Sequence, residues 1–147
     1  NYIMVFIREL VDYGVIGLLL VLSFFALAIA IERWSFYRKV RLEEYKTKQE
    51  LEVELSKGLT FIASTASNAP YIGLLGTVLG IMLTFYTIGE EGFVDTKKVM
   101  VGLALALKAT AVGLLVAIPS SVLYNILLKK VKNLLLLWEA KNGGQRV

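Results

Sequence analysis

Two threonines are the residues of this sequence whose types and positions could support chemistry. Thr77 and Thr110 each lie near the middle of a long stretch that contains no Asp or Glu. Each also lies on a helical face of small residues, where a second helix can approach closely. Two hydroxyls that meet in the middle of a membrane could line a narrow polar path for ions, although a threonine can also bond the carbonyl four residues earlier in its own helix. The spacing alone leaves both interpretations open.

The composition excludes most other kinds of site. The chain has 147 residues with no His and no Cys, which excludes disulfides, thiolate nucleophiles, histidine-based triads and most transition-metal centres. We therefore predict no catalytic residues, no metal site, no cofactor and no enzyme activity. With 56% hydrophobic residues and a mean hydropathy of +0.65, the chain is too apolar for a soluble domain of this size. The net charge of +4 comes from basic residues that flank apolar runs, which is typical of membrane topology signals and not of a nucleic-acid partner.

Three apolar stretches reach the length of about 20 residues that a helix needs to cross a bilayer. We therefore predict an all-α integral membrane protein with three transmembrane helices. No cleavable signal peptide is expected, because charges of both signs precede the first span and no small-residue cleavage site follows it. The predicted segments, in chain order, are an amphipathic interfacial helix on the outer face (1–12), the first span (13–31), a cytoplasmic connection (32–58), a helix containing the second span (59–88), a periplasmic loop (89–98), a helix containing the third span (99–128) and a cytoplasmic helical tail (129–147).

The orientation follows from the distribution of Lys and Arg. Twelve of the 16 basic residues lie in the connection 32–58 and in the tail 129–147. Basic residues accumulate on the cytoplasmic side of membrane proteins. The sequence therefore predicts an N-terminus outside and a C-terminus in the cytoplasm.

Leucine-rich stripes continue the second and third helices into the cytoplasm. If each extension is one helix with its span, residues 42–88 and 97–140 would be on the order of 65 to 70 Å long. The stripes need partners, and self-association into a homo-oligomer or pairing of the two extensions with each other would both provide them. The stripe residues are Leu51, Leu55, Leu59 and Ile62 before the second span, and Leu127, Val131, Leu134 and Trp138 after the third.

Small residues recur every three or four positions in the second and third spans, which favours close helix packing. Pro70 and Pro119 lie on the cytoplasmic side of the two threonines. Because each proline removes a backbone hydrogen bond, we predict that both interrupt their helices near the inner interface and form a hinge. A tolerated transmembrane proline is the alternative. The glycines predicted to pack are Gly73, Gly76, Gly80 and Gly113.

Lys108 is the only charged residue inside a predicted span. It precedes Thr110 by two positions, which is about 200° around a helix, so the two side chains should point to different surfaces. The aliphatic part of its side chain could pack along apolar neighbours while the amine reaches toward a polar region. The amine could instead contact carbonyls or hydroxyls of an adjacent copy of the chain.

The sequence also resembles a known family. Its segments NAPYIGLLGTVLGI (68–81) and LKATAVGLLVAIP (107–119), the latter followed by YN at 124–125, are similar to the two signature segments of the ExbB/TolQ/MotA family of proton-channel proteins. The segment IERW (31–34) at the end of the first span is similar too. Three spans favour the ExbB or TolQ members, because the flagellar members have four.

The resemblance implies a subunit of the bacterial inner membrane that forms a ring, a pentamer in this family, around the transmembrane helices of an ExbD-like single-span partner. Proton flow through that assembly would power a TonB-like protein, and family threonines that line the channel fall on Thr77 and Thr110. Two features depart from the family: the cytoplasmic connection is short, and Leu105 replaces an acidic residue often found five positions before the second threonine. TolQ-like envelope maintenance, a passive membrane scaffold and a secondary transporter are the alternatives, although no inverted repeat is evident.

Overall fold

The computed structural model describes residues 2–143, and these residues form four α-helices and one short 3-10 helix. Helix α1 spans Tyr2–Lys39, α2 spans Lys48–Leu55, α3 spans Leu59–Glu91 and α4 spans Thr96–Gly143, with the 3-10 helix at Leu42–Glu44. Helices α1, α3 and α4 are long and apolar enough to cross a membrane. The predicted all-α architecture with three spanning helices is confirmed, and the chain is a multi-pass membrane protein.

Side chains and glycines at the helix ends explain where the helices begin and end. Thr47 accepts a hydrogen bond from the backbone amide of Glu50 at 3.1 Å and caps α2, and Asp95 accepts one from Lys97 at 3.1 Å and caps α4. A capping oxygen of this kind satisfies an amide that has no partner within its helix. Helix α3 ends at Gly92, whose φ of 77° lies in the left-handed region that glycine adopts without strain.

Helices α3 and α4 pack against each other through their small residues. A Cβ added to Gly73 would lie 2.6 Å from the carbonyl oxygen of Ala109, and one added to Gly113 would lie 2.6 Å from the carbonyl oxygen of Ala69. The two backbones therefore approach so closely that only glycine fits at the crossing. The structure brings the two small-residue faces together, as their spacing predicts.

An apolar cluster lies at the end of the molecule opposite the α3–α4 turn, and all eight residues of the two leucine-rich stripes take part in it. Leu51, Leu55 and Ile62 are fully buried there, against Leu127 and Val131 of α4 and the end of α1. The two stripes thus pair within one chain, which is the second of the two arrangements that the sequence left open. They do not by themselves require an oligomer.

Residues 42–88 do not form the single helix on which the length of about 70 Å was conditional, and the helix that contains the second span begins at Leu59. The chain breaks between α2 and α3, at residues 56–58, where Gly58 has a φ of 82°. Arg33 and Tyr37 of α1 bind the last carbonyls of α2, so the helix ends where those carbonyls are taken. Helix α4, which contains the third span, is continuous over 48 residues and about 72 Å, close to the length expected for one helix over 97–140.

The predicted interfacial helix at 1–12 is not a separate element. Residues 2–12 form the first three turns of α1, which continues without a break into the first span. No proline or glycine occurs before Gly14, and a continuing helix keeps every backbone group hydrogen-bonded. The start of the cytoplasmic connection also belongs to α1, which ends only at Lys39.

The two prolines do not interrupt their helices. Helix α3 continues through Pro70 and α4 continues through Pro119. A proline removes one hydrogen bond of its helix, and packing against neighbouring helices maintains the rest. The interruption predicted at these positions is therefore wrong, and a hinge there stays a prediction.

Candidate functional site

Thr77 and Thr110 meet between α3 and α4. The Thr77 hydroxyl donates to the carbonyl oxygen of Ala106 at 2.9 Å, and the Oγ1 atoms of the two threonines are joined by a short hydrogen bond. A hydroxyl has one proton to donate, so Thr110 must be the donor of the second bond. The result is a directed chain of hydrogen bonds from Thr110 to Thr77 to the backbone of α4.

The two threonines differ in accessibility. Thr77 is 5% exposed, whereas Thr110 is half-buried at the edge of the α3–α4 contact. The Thr110 oxygen keeps acceptor capacity, and its residue lies partly open to another molecule. Thr77 serves as the inner member that orients it.

Glycines on both sides of Thr77 make this arrangement possible. A Cβ on Gly76 would lie 2.8 Å from the Cβ of Ala109, and a Cβ on Gly80 would lie 2.9 Å from the Cβ of Ala106. The two alanines lie in the turn of α4 that precedes Thr110. The small residues of α3 thus set the depth at which the two hydroxyls face each other.

The threonine pair cannot carry a proton by ionising, because aliphatic hydroxyls do not titrate near neutral pH. Residues 59–88 and 99–128 contain no Asp, Glu or His, which are the usual proton-relay residues of membrane segments. What the arrangement can do is hold and orient a proton-bearing group that arrives from outside the chain. A protonated carboxyl could donate to the Thr110 oxygen, and a water molecule could do the same.

Lys108 lies on another surface of α4. It is exposed, while Ala106 and Ala109 on either side of it are buried against α3. Among residues 2–143 its amine has no hydrogen bond and no ion pair. The structure therefore does not join Lys108 to the threonine pair.

Arg8 connects all three spanning helices near the α3–α4 turn, and the sequence analysis missed this role. Its Nη2 atom donates to the Thr84 hydroxyl at 2.7 Å and to the Gly102 carbonyl at 3.0 Å. Thr84 is buried, and a Cβ on Gly102 would lie 2.5 Å from the Thr84 side chain. The available signal was a lone arginine in the first turns of a helix that enters the membrane.

Arg33 and Tyr37, near the end of α1, bind α2. Arg33 is 6% exposed and donates to the Glu54 carbonyl at 2.7 Å, and the Tyr37 hydroxyl donates to the Leu55 carbonyl at 2.6 Å. The last four carbonyls of a helix have no partner within it, so these two side chains complete the end of α2. Glu32 pairs with the same arginine at 2.7 Å. The signal for this contact was the IERW segment, which the sequence analysis noted without assigning it a role.

Polar contacts join the end of α4 to the connection between α1 and α2. The Trp138 indole donates to the Tyr45 carbonyl at 3.1 Å, and Lys141 pairs with Glu43 at 3.3 Å. A hydrogen bond from its own backbone, followed by the Lys141 ammonium, holds the pKa of the Glu43 carboxyl below its ordinary value. This exposed pair adds little stability, and the cluster of buried leucines is the main attachment.

No part of residues 2–143 offers a metal centre, because no three Asp or Glu side chains lie close enough together to hold an ion. The polar groups inside the spans are hydroxyls and backbone carbonyls. They suit hydrogen bonding to a partner group.

Comparisons with known proteins agree with the segment resemblance. The family described as the MotA/TolQ/ExbB proton channel family matches residues 27–140. The Biopolymer transport protein ExbB of Aquifex aeolicus is 63% identical over 137 residues, which is 93% of this chain and 93% of that protein. The Putative biopolymer transport protein ExbB-like 2 of Helicobacter pylori is 54% identical over 90% of this chain and 88% of its own length. The Biopolymer transport protein ExbB of Helicobacter pylori strain J99 is 52% identical over 88% of this chain and 90% of its own length.

Proposed function

The chain belongs to the MotA/TolQ/ExbB proton channel family, and from this premise we propose that it is an ExbB-like subunit of a proton-driven motor in a bacterial inner membrane. With an ExbD-like single-span partner it converts proton motive force into work. A TonB-like protein passes that work to nutrient uptake across the outer membrane. The chain is a channel component and not an enzyme.

The observation that carries the proposal is the hydrogen bond between Thr77 and the half-buried Thr110, which orients the Thr110 hydroxyl. A proton path needs a group that takes up and releases protons, and spans two and three supply none. The titrating carboxylate therefore comes from the partner helix and lies beside Thr110 in the assembled pore. The half-buried position of this threonine supports such a contact.

We propose that copies of the chain form a homo-oligomer, five in number as is usual in this family, around the partner helices. Thr110 lies at the edge of one α3–α4 pair, so a ring of such pairs would enclose a central path lined by this residue. Exposed small residues beside Lys108, at Ala104 and Ala111, let another helix approach α4 closely. Native mass spectrometry in mild detergent tests the ring, and monomers alone in several detergents would contradict it.

We also propose that the N-terminus is outside and the C-terminus is in the cytoplasm. The α3–α4 turn and the start of α1 lie at one end of the molecule, whereas the lysine-rich connection and the end of α4 lie at the other. This arrangement supports the positive-inside assignment. Because the chain has no Cys, single replacements Phe93→Cys and Lys46→Cys can be labelled in intact cells. A membrane-impermeant thiol reagent should modify only the first, and the reverse pattern would overturn the orientation.

Proton flux through liposomes tests the central proposal. The purified chain alone should raise the flux no further than an empty liposome, because it has no titrating group in spans two and three. Co-reconstitution with a single-span partner that carries a membrane Asp should produce a flux, and Asp→Asn in that partner should abolish it. Equal flux with and without the partner would contradict the proposal. No flux in either case would favour a passive scaffold, and transport of a solute would favour a secondary transporter.

A TolQ-like role in envelope maintenance is the close alternative. The two roles differ in the process that depends on the proton motive force. The chain with its partner should restore nutrient uptake to a strain that lacks the equivalent uptake system. Restoration of envelope integrity without uptake would favour the TolQ-like role.

A further inference from the structure

A cavity of about 530 Å³ lies between the first turns of α1 and the ends of α3 and α4 at their turn. Its volume falls in the range of about 300 to 1,000 Å³ that is usual for small-molecule sites. Apolar side chains form its walls, among them Met4, Leu83 and Val101, and Arg8 and Glu91 line it as well. Asp95, Lys97 and Lys98 line it too, so the cavity combines an apolar wall with charged groups of both signs.

Arg8 has unused hydrogen-bond donors. Only the Nη2 atom of Arg8 makes hydrogen bonds within residues 2–143, to Thr84 and Gly102. Its Nε and Nη1 atoms have no acceptor among these residues, and neither is sealed away from a ligand. The planar fork of a guanidinium matches the geometry of a phosphate group. Arg8 is therefore positioned to bind a phosphate while its Nη2 atom is anchored to α3 and α4.

Glu91 has an unused hydrogen-bond acceptor. The Oε1 atom of Glu91 accepts from the ammonium of Lys98, whereas its Oε2 atom is buried and has no hydrogen-bond partner within residues 2–143. A buried carboxylate oxygen without a donor is costly. Glu91 is also the last residue of α3, where the helix dipole adds further negative charge and favours a cation. A charged N–H donor would satisfy this oxygen.

We propose that this cavity binds a phospholipid with a phosphoethanolamine headgroup, taken from the membrane leaflet at the α3–α4 turn. The phosphate binds the free donors of Arg8, and the primary ammonium donates to the Oε2 atom of Glu91 once a rotation of that carboxylate turns the buried atom toward the cavity. The apolar residues that line the cavity favour a lipid over a soluble phosphoethanolamine. One zwitterionic headgroup satisfies both the unused donors and the unused acceptor without changing the net charge of the site.

The consequence for the molecule is a tie between α1 and the α3–α4 pair on the side of the turn. Arg8 already joins these three helices directly, and the lipid would close the remaining gap between Arg8 and Glu91. The proposal depends on the membrane location of the chain and not on proton conduction. A lipid-binding measurement can therefore fail while the proposed motor function holds, and the reverse is equally true.

Native mass spectrometry of the delipidated wild-type protein tests the headgroup. The protein is mixed with phosphatidylethanolamine, phosphatidylcholine and phosphatidylglycerol that carry the same acyl chains. Phosphatidylethanolamine should be retained about tenfold more than phosphatidylcholine, because a quaternary ammonium cannot donate the charge-assisted hydrogen bond to Glu91. Equal retention of these two lipids, or preferential retention of phosphatidylglycerol, would overturn the proposal.

Two variants and a matched control assign the contacts. Glu91→Gln should reduce the preference for phosphatidylethanolamine over phosphatidylcholine by about tenfold, whereas Glu90→Gln, on the exposed neighbour, should leave it unchanged. Arg8→Gln should lower retention of both lipids to a similar extent. Because Arg8 also bonds Thr84, the lipid result for Arg8→Gln is interpreted only if the mass of the oligomer is unchanged. If that mass changes, Glu91→Gln alone tests the site. An unaltered preference in Glu91→Gln would reject the site.

Discussion

The Thr110 hydroxyl donates a hydrogen bond to the Thr77 hydroxyl, which in turn donates one to the Ala106 carbonyl of α4. The two threonines therefore have different roles although they occupy equivalent depths in their helices. Thr77 is the buried acceptor that fixes the orientation of Thr110. Thr110 is the member that an external group can reach.

This asymmetry predicts that Thr110→Val reduces proton-driven activity while assembly stays intact. The variant removes the accessible hydroxyl and leaves the bond from Thr77 to Ala106 in place, so the free energy of unfolding should fall by less than about 1 kcal/mol. Flux through liposomes with the partner measures the activity. Thr60→Val, on an exposed threonine of α3, is the control. Wild-type activity in the double variant Thr77→Val with Thr110→Val would refute the role of both threonines.

The crossing of α3 and α4 predicts that Gly73→Ala and Gly113→Ala destabilise the helix pair. Each added methyl would meet a backbone carbonyl oxygen at 2.6 Å, and overpacking of this kind costs typically about 1 to 3 kcal/mol. Gly89→Ala is the matched control, because a Cβ there has no neighbour within 4 Å. Unfolding in detergent followed by circular dichroism measures the difference. Equal stability of the three variants would show that the helices do not cross at Gly73.

The position of Lys108 predicts that its replacement affects the assembly of the oligomer or the coupling to the partner. Replacement by Met removes a charge that costs roughly 2.5 to 3.5 kcal/mol at mid-membrane, so membrane insertion should improve. The exposed amine lies beside Ala104 and Ala111 on a surface that a neighbouring helix can approach. We therefore expect Lys108→Met to weaken the oligomer or the partner-dependent flux, measured by native mass spectrometry and in liposomes. Wild-type assembly and uptake would identify Lys108 as a tolerated residue that extends toward polar ground.

The contact between α1 and α2 predicts a loss of stability in Tyr37→Phe. The variant leaves the Leu55 carbonyl without its donor at the end of α2, and a lost hydrogen bond of this kind costs about 1 to 3 kcal/mol when the remaining partner is buried. Limited proteolysis of the cytoplasmic connection should accelerate accordingly. Tyr2→Phe, on a tyrosine that is 95% exposed, provides the comparison. Unchanged proteolysis in Tyr37→Phe would mean that the leucine cluster alone holds α2.

The sequence by itself determined the three spanning helices and the faces on which Thr77 and Thr110 lie. Hydrophobic runs fix the spans because the bilayer requires a minimum apolar length. The spacing of small residues fixes the faces because close helix packing tolerates no large side chain. Both are local properties, and a single stretch of chain carries the whole signal.

Only the tertiary structure decided which residues meet across the helices. Arg8 binds Thr84 and Gly102, which lie 76 and 94 positions further along the chain, and the two leucine-rich stripes pair with each other although either could have paired with another copy. The break at Gly58 likewise depends on Arg33 and Tyr37 of a different helix. Periodicity gives the apolar face of each helix but not its rotation and depth relative to its neighbours. These contacts are decided by that relative placement, because a hydrogen bond requires its two atoms to lie within about 3 Å of each other.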